Sequence, residues 1–301
     1  MKNKWWVVIV ILAILLAASF ILAGIASLFM PDSIKGEGNV AVIPIKGFIS
    51  MDSSGSSFGI ASASAKEVVE YIQDAASDPG IKAIIFEINS PGGSTVAPEE
   101  ISKAIRKANK TTVAVITEVG ASSAYWIASA TDRIFASRMS LTGSIGTIIS
   151  YLEFEGFMED HNITYRRLVS GKYKDLGSPF KEMTSEEERI MQDKIIQLRD
   201  IFIEEVAKNR GMEIEDIPTE AEIYLGTEAL ELGLIDELGG IEEAKEYIEE
   251  KLGITAELAE YRRKSFFGIL TEASNERNFF IGKGIGSAML EAEQTQGIMI
   301  R

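Results

Sequence analysis

The chain has no cysteine and a single histidine, His161. The first absence excludes disulfides, thiolate metal sites and a cysteine nucleophile, and it leaves the redox compartment open. The second excludes any multi-histidine metal centre, and a Ser/His/Asp triad would have to be built on His161 or not exist. Positive charge is also scarce: 30 Lys and Arg stand against 45 Asp and Glu, a formal net charge of −15. Phosphate backbones are bound by clustered Lys and Arg, so nucleic acid is not an expected partner. No metal or cofactor is expected.

What the chain does have is apolar content, 46% of 301 residues, enough for a sizeable core and a membrane segment. Trp5 to Met30 carries no charge and is long enough to cross a bilayer as a helix. Lys2 and Lys4 precede it and Asp32 follows it, which places the N-terminus in the cytoplasm and the rest outside. Gly24-Ile25-Ala26 offers small residues for signal-peptide cleavage. The length of the run and its two leading tryptophans favour an uncleaved single-pass anchor. The expected division is a cytoplasmic end (1–4), an anchor (5–30), a linker (31–38), a catalytic domain (39–265) and a tail of uncertain structure (266–301).

Within the domain, Val40 to Ile49 reads as a strand, and Pro44 inside it suggests an edge or a bulge. Met51 to Ser62 is a Ser- and Gly-rich surface loop. Ser64 with Glu67 forms a capping box for a helix that stops at Asp78-Pro79-Gly80. Ala83 to Ile88 is a buried strand ending in Asn89-Ser90-Pro91-Gly92-Gly93-Ser94, and Pro98 opens the next helix. Thr111 to Val119 is a third strand, running through Gly120-Ala121-Ser122 into the helical spacing of Ala124, Ile127 and Ala128. Alternation of strand and helix with short connections predicts a parallel α/β fold with ligands at the carboxyl ends of the strands. Further strands are expected over Asp132–Ala136, Ile163–Val169 and Ala256–Arg263. Thr184 and Glu187 cap a long helix that stops at Gly211.

Ser122 sits where a strand turns into a helix. Orphan N–H groups and the positive end of the helix dipole there favour a developing alkoxide or oxyanion. The competing reading is that Ser122 or Ser123 is only a helix cap. A serine hydroxyl needs a base, and with His161 in an ordinary loop the remaining candidates are lysines, of which Lys172 and Lys174 are equally placed by proximity. A lysine serves only when neutral, which desolvation near an apolar cleft favours.

Five motifs occur in the order found in signal peptide peptidase A of the short, single-repeat form. They are Asn89–Ser94, Gly120–Ala128, Leu141–Gly146, Gly171–Asp175 and Gly226–Gly240. The chain resembles that family over nearly all of its length after the anchor. The resemblance implies a crotonase/Clp protease-like fold and a Ser-Lys endopeptidase. It assigns Ser122 as nucleophile, Lys174 as general base, Ser144 as the hydroxyl that positions the lysine, and the N–H groups of Gly93 and Ser123 as the oxyanion hole. Many members carry two glycines after the nucleophile, where this chain has Ser123 and Ala124. The resemblance further implies hydrophobic substrates such as remnant signal peptides, which Tyr125 and Trp126 beside the nucleophile would suit. It also implies a homo-oligomer, an octameric ring in the short form, on the outer face of the cytoplasmic membrane. The alternatives are a crotonase-type acyl-CoA enzyme, for which anchor, Ser122 and Lys174 have no use, and a membrane scaffold without catalysis.

Overall fold

The β-branched runs of the sequence become the centre of one parallel sheet. In this computed structural model the described residues are 10, 12–15, 33–52 and 62–263. The expected anchor, apart from those five positions, the tail from 266 and most of the Met51–Ser62 loop lie outside them. Among the described residues no helix is long and apolar enough to cross a membrane. The chain divides into two units, one of Met1–Lys35 with Arg262–Arg301 and one of Gly36–Tyr261. In the first, Ser33–Lys35 forms strand β1.

The second unit contains β2 (Val40–Lys46), β3 (Phe48–Ser50), β4 (Ser62–Ser64), β5 (Ala83–Ser90), β6 (Thr111–Ala121), β7 (Arg133–Ala136), β8 (Leu141–Gly143), β9 (Ile223–Leu225), β10 (Glu237–Leu238) and, up to Tyr261, β11 (Leu258–Arg263). Its helices are α1 (Ala65–Ser77), α2 (Ala97–Lys107), α3 (Ser123–Ser129), α4 (Glu155–Asp160), α5 (Ser185–Arg210), α6 (Gly226–Glu231) and α7 (Ile241–Leu252). The main sheet runs β11-β2-β5-β6-β7-β10, every pair parallel. Parallel strands are buried on both faces, which is why β2, β5 and β6 read as continuous apolar runs rather than alternations.

Alternate residues divide between two cores. Ile43, Ile45, Ile84, Phe86, Ile88, Ala114 and Ile116 pack with residues of α1, α2, α3 and α5 on one face. Val40, Val42, Ala83, Ile85, Val113, Val115 and Phe135 pack with Ala244 and Ile248 of the acidic helix α7 on the other. Full burial of each large side chain stabilises by about 1.5–3 kcal/mol, so these rows set the register of the sheet.

Pro44 lies in an interior strand, yet the described pairing of β2 with β11 covers only Val40 to Val42. Beyond it β2 is paired on the β5 side, Pro44 opposite Glu87, so the missing N–H falls outside the described pairing with β11. The capping box at Thr184 and Glu187 forms, and Gly211 ends α5 in the left-handed conformation at φ 64°. Pro98 occupies the first turn of α2.

The expected strand over Ile163–Val169 does not form. These residues are irregular and exposed. They belong to an arm, residues 146–184, in which every residue is exposed or half-buried. Apolar residues at strand spacing make a strand only when a neighbouring strand takes their hydrogen bonds, and none does so here among the described residues. In α5 the arm-proximal apolar residues Met191, Ile195 and Leu198 are only half-buried, while Phe202, Ile203, Val206 and Ala207 reach the core.

Candidate active site

The 11-residue strand β6 delivers its last residue, Ala121, directly to a turn made by Ser122 alone before α3 begins. Ser122 adopts φ 55°, ψ −128°. A non-glycine residue in so sparsely populated a region costs on the order of 1–3 kcal/mol and persists only when its surroundings impose it. Here they do. On the strand side, Val119, Gly120 and Ala121 pair in parallel with Leu141, Thr142 and Gly143. The Ser122 N–H donates to the Gly143 carbonyl at 2.9 Å and the Thr142 hydroxyl to the Gly120 carbonyl at 2.7 Å. The buried Ser140 hydroxyl contacts the Ile116 and Thr117 carbonyls at 3.0 and 2.7 Å. On the helix side all seven residues of α3 are buried. Tyr125 donates its hydroxyl to the Leu234 carbonyl at 2.7 Å, and Trp126 stacks on Phe202 with ring centroids 5.1 Å apart.

Tyr125 and Trp126 are therefore core residues, and their apolar surface beside Ser122 is turned inward and not offered to a hydrophobic substrate. At the helical spacing of α3 their side chains point down onto α5 and the sheet. Burial pushes the Tyr125 hydroxyl well above its ordinary value, so it holds its proton and acts as a fixed donor.

Ser122 occupies the cap position of α3, but its hydroxyl makes no capping hydrogen bond. That removes the reading of Ser122 as a plain cap and leaves the hydroxyl for chemistry. Beside it runs the Gly92-Gly93 strip. A Cβ on Gly92, at φ +104°, would lie 2.8 Å from the Cβ of Ser122. One on Gly93 would lie 2.1 Å from the Ile49 carbonyl oxygen. Only glycine fits between β3 and the elbow. The strip is held by Ile49 N–H to the Gly92 carbonyl at 2.9 Å and Ser94 N–H to the Ile49 carbonyl at 2.8 Å. Among the described residues no hydrogen bond engages the N–H of Gly93 or of Ser123. These are the two donors expected to face an oxyanion.

Ser144 is half-buried at φ 52° and directly follows Gly143, whose carbonyl accepts from Ser122. Its N–H donates to the Glu222 carbonyl at 2.7 Å, next to the antiparallel pairing of β8 with β9. A Cβ on Gly143 would meet the ring of Tyr224. The Tyr224 hydroxyl is pushed up to about 12 by burial and by its hydrogen bond to Glu222, so it stays protonated at neutral pH.

The fold thus gathers Ser122, Ser123, Gly93 and the Gly143-Ser144 turn around one elbow. Lys174 is exposed on the arm, in a turn closed by its own N–H to the Gly171 carbonyl at 3.1 Å. No hydrogen bond among the described residues joins it to Ser122 or Ser144. His161 ends α4 on the same arm, its Nδ1 2.8 Å from the Phe157 carbonyl and its ring stacked on Phe157 at 4.1 Å. No group of three or more His, Asp or Glu among the described residues is placed to hold a cation. Sequence reasoning missed the stapling roles of Ser140 and Thr142. Their signal was a hydroxyl at every second position before the Gly143 turn.

The sequence pattern of peptidase family S49 matches residues 104–255. A Methanocaldococcus jannaschii protein provisionally named as a protease is 32% identical over 241 residues, 77% of this chain and 76% of that protein. An Enterococcus faecium protein provisionally named as signal peptide peptidase A is 35% identical over 191 residues, 62% of this chain and 56% of its own length. Among solved structures, a membrane-bound stomatin-specific protease overlaps 70% of this chain and 84% of its own, with a TM-score of 0.47 at 20% identity.

Proposed function

The chain belongs to peptidase family S49, and from that premise we propose that it is a membrane-anchored endopeptidase in which Ser122 is the nucleophile and Lys174 the general base. The observation that carries the reading is the strained elbow, which presents an uncapped hydroxyl beside two N–H groups with no hydrogen-bond partner among the described residues. Ser122 Oγ attacks the scissile carbonyl carbon while its proton passes to the neutral amine of Lys174. The carbonyl oxygen becomes an oxyanion received by the Gly93 and Ser123 N–H groups, each such donor contributing about 3–4 kcal/mol to the transition state. Collapse breaks the C–N bond, and the ammonium returns its proton to the leaving amine. Water, deprotonated by the same lysine, then releases the acyl group from Ser122. Ser144 orients the amine.

The finer elements of the proposal are a crotonase/Clp protease-like fold for the domain 39–265 and an uncleaved single-pass anchor at 5–30. The domain stands on the outer face of the cytoplasmic membrane, and its substrates are hydrophobic segments such as remnant signal peptides. The domain works as a homo-oligomer, an octameric ring by the family resemblance. Two observations support assembly. Lys174 lies on an arm whose large apolar residues Ile148, Leu152, Phe157 and Leu168 are exposed, and patches of that kind mark interaction surfaces. The same chain offers Ser122 no base within its described hydrogen bonds, so an arm seated against another copy would complete the pair.

The test is covalent. A fluorophosphonate should label the full-length protein at Ser122, and Ser122→Ala should lose both labelling and peptidase activity while Ser123→Ala retains labelling. Labelling that persists in Ser122→Ala, or maps to Ser123, overturns the assignment. An unlabelled wild-type protein would leave a scaffold.

A further inference from the structure

The side chains flanking Lys174 are tied down and Lys174 is not. On the near side, Lys172 Nζ and the Tyr173 hydroxyl both donate to the carboxylate of Glu186, one to each oxygen. These bonds, that from Lys172 first, hold the Glu186 carboxyl below its ordinary range. On the far side, Arg167 donates to Asp175 Oδ1 at 2.7 Å, and the Asp175 side chain is only 12% exposed. Between them the backbone turns tightly, with Leu176 N–H on the Tyr173 carbonyl at 3.2 Å and Ser178 N–H on the Asp175 carbonyl at 3.0 Å. The Lys174 amine has no hydrogen-bond partner among the described residues.

Glu186 is itself on firm ground. It lies in the first turn of α5, beside Glu187, which closes the capping box with Thr184 and takes Lys181 Nζ on both oxygens at 2.7 Å. An isolated exposed ion pair adds about 0–1 kcal/mol, so contacts of this type do little for global stability. Two donors converging on one carboxylate, mirrored across the turn by the exposed Arg167 on the half-buried Asp175, do something else. They fix the backbone from which a four-carbon side chain is aimed. A proton acceptor must come within about 2.6–3.2 Å of the hydroxyl, and a misplacement near 1 Å costs about 100-fold in rate.

We infer that Glu186 and Arg167 are positioning residues for the general base: they clamp the residues on either side of Lys174 so that its amine alone is free to engage the nucleophile. The inference rests on the reading of Lys174 as the base. Electrostatics acts in the opposite direction at Glu186, because removing a negative charge favours the neutral form of a nearby amine. A loss of turnover in Glu186→Ala therefore reports geometry and not charge.

The experiment uses the full-length protein with a fluorogenic peptide and fluorophosphonate labelling. Glu186→Ala should lower kcat and the labelling rate by about 10-fold or more, with KM within about two-fold and Tm within a few degrees. The double variant Lys172→Ala/Tyr173→Phe should reproduce that loss, each single variant giving less of it. Adding Glu186→Ala to the double variant should change nothing further, because the same contacts are already gone. Arg167→Ala should lower kcat in the same way and Arg167→Lys restore part of it. The clamp is overturned by Glu186→Ala and the double variant turning over within about two-fold of wild type. It is equally overturned if the loss of kcat is matched by a large fall in Tm and in the folded fraction, which is a folding defect. Lys174→Ala separates the two levels. If that variant is inactive while the clamp variants are normal, only the clamp falls. If that variant is active, the base assignment falls first.

Discussion

The elbow and the arm carry the two halves of one proposed catalytic pair, and they are held in opposite ways. Around Ser122 every backbone constraint is supplied by the chain itself: a parallel ladder to β8, hydroxyl staples from Ser140 and Thr142, and a fully buried helix behind it. Around Lys174 nothing is buried, and order comes from local turns and polar pairs. Strain at a nucleophile survives only where a core over-determines it, so that half must be built into the monomer. A lysine that reaches for a proton needs a free side chain on a fixed base. That half tolerates an exposed support completed from outside.

If the two regions are halves of one site, cutting either should be equally severe. Lys174→Ala is expected to reduce peptide hydrolysis and fluorophosphonate labelling by about 1,000-fold or more with an unchanged melting temperature. A folded Lys174→Ala protein with near-normal turnover would separate arm from elbow and sink the dyad.

Gly93→Ala probes the elbow side. The added Cβ must displace the Ile49 carbonyl, 2.1 Å away, and the N–H proposed as an oxyanion donor moves with it. A fall of about 100-fold in kcat is expected, together with a lowered Tm. Wild-type kcat would mean that this N–H does not face the developing charge.

The arm should respond differently. Ile148→Asp and Leu168→Asp alter exposed residues, so the domain's own stability should stay within about 0.5 kcal/mol by chemical denaturation. Assembly and activity should fall together in sedimentation and turnover assays. An active monomer would show that the arm serves its own elbow.

The smallest effect lies at the start of α5, where the arm ends. Hydrogen bonds from Lys181, then from the Thr184 N–H, hold the Glu187 carboxyl at about 2 against an ordinary 4.5. A depressed carboxyl stabilises the folded state above its ordinary value and loses that contribution as pH falls from 4.5 towards 2. The Tm of wild type should therefore exceed that of Glu187→Gln at pH 7, and the gap should close through that window. A gap that persists at pH 2 would assign it to packing instead.

Much of this arrangement was legible in the chain. The apolar runs of β2, β5 and β6 needed no partner to be read, because burial on both faces leaves no polar alternation to interpret. The caps at Thr184 and Gly211 are local chemistry and formed as expected. The burial of Tyr125 and Trp126 was not legible, because an apolar residue beside a serine at an elbow looks the same whether it lines a pocket or faces the core. The strand expected over Ile163–Val169 failed because β-propensity states what a segment will pair with, not that a partner is present.

The sequence alone determined the parallel α/β class, the turn at which a serine meets a helix N-terminus and the lack of any thiol or multi-histidine chemistry. Those properties follow from residue type and short-range spacing. Only the tertiary structure decided that Ser122 is strained and uncapped, that Gly92 and Gly93 pass within contact of Ser122 and Ile49, and that Lys174 stands on an exposed arm. These depend on segments separated by 30 and 44 positions in the chain, Gly92 from Ser122 and Ile49 from Gly93. Such segments meet only after the sheet has chosen its strand order.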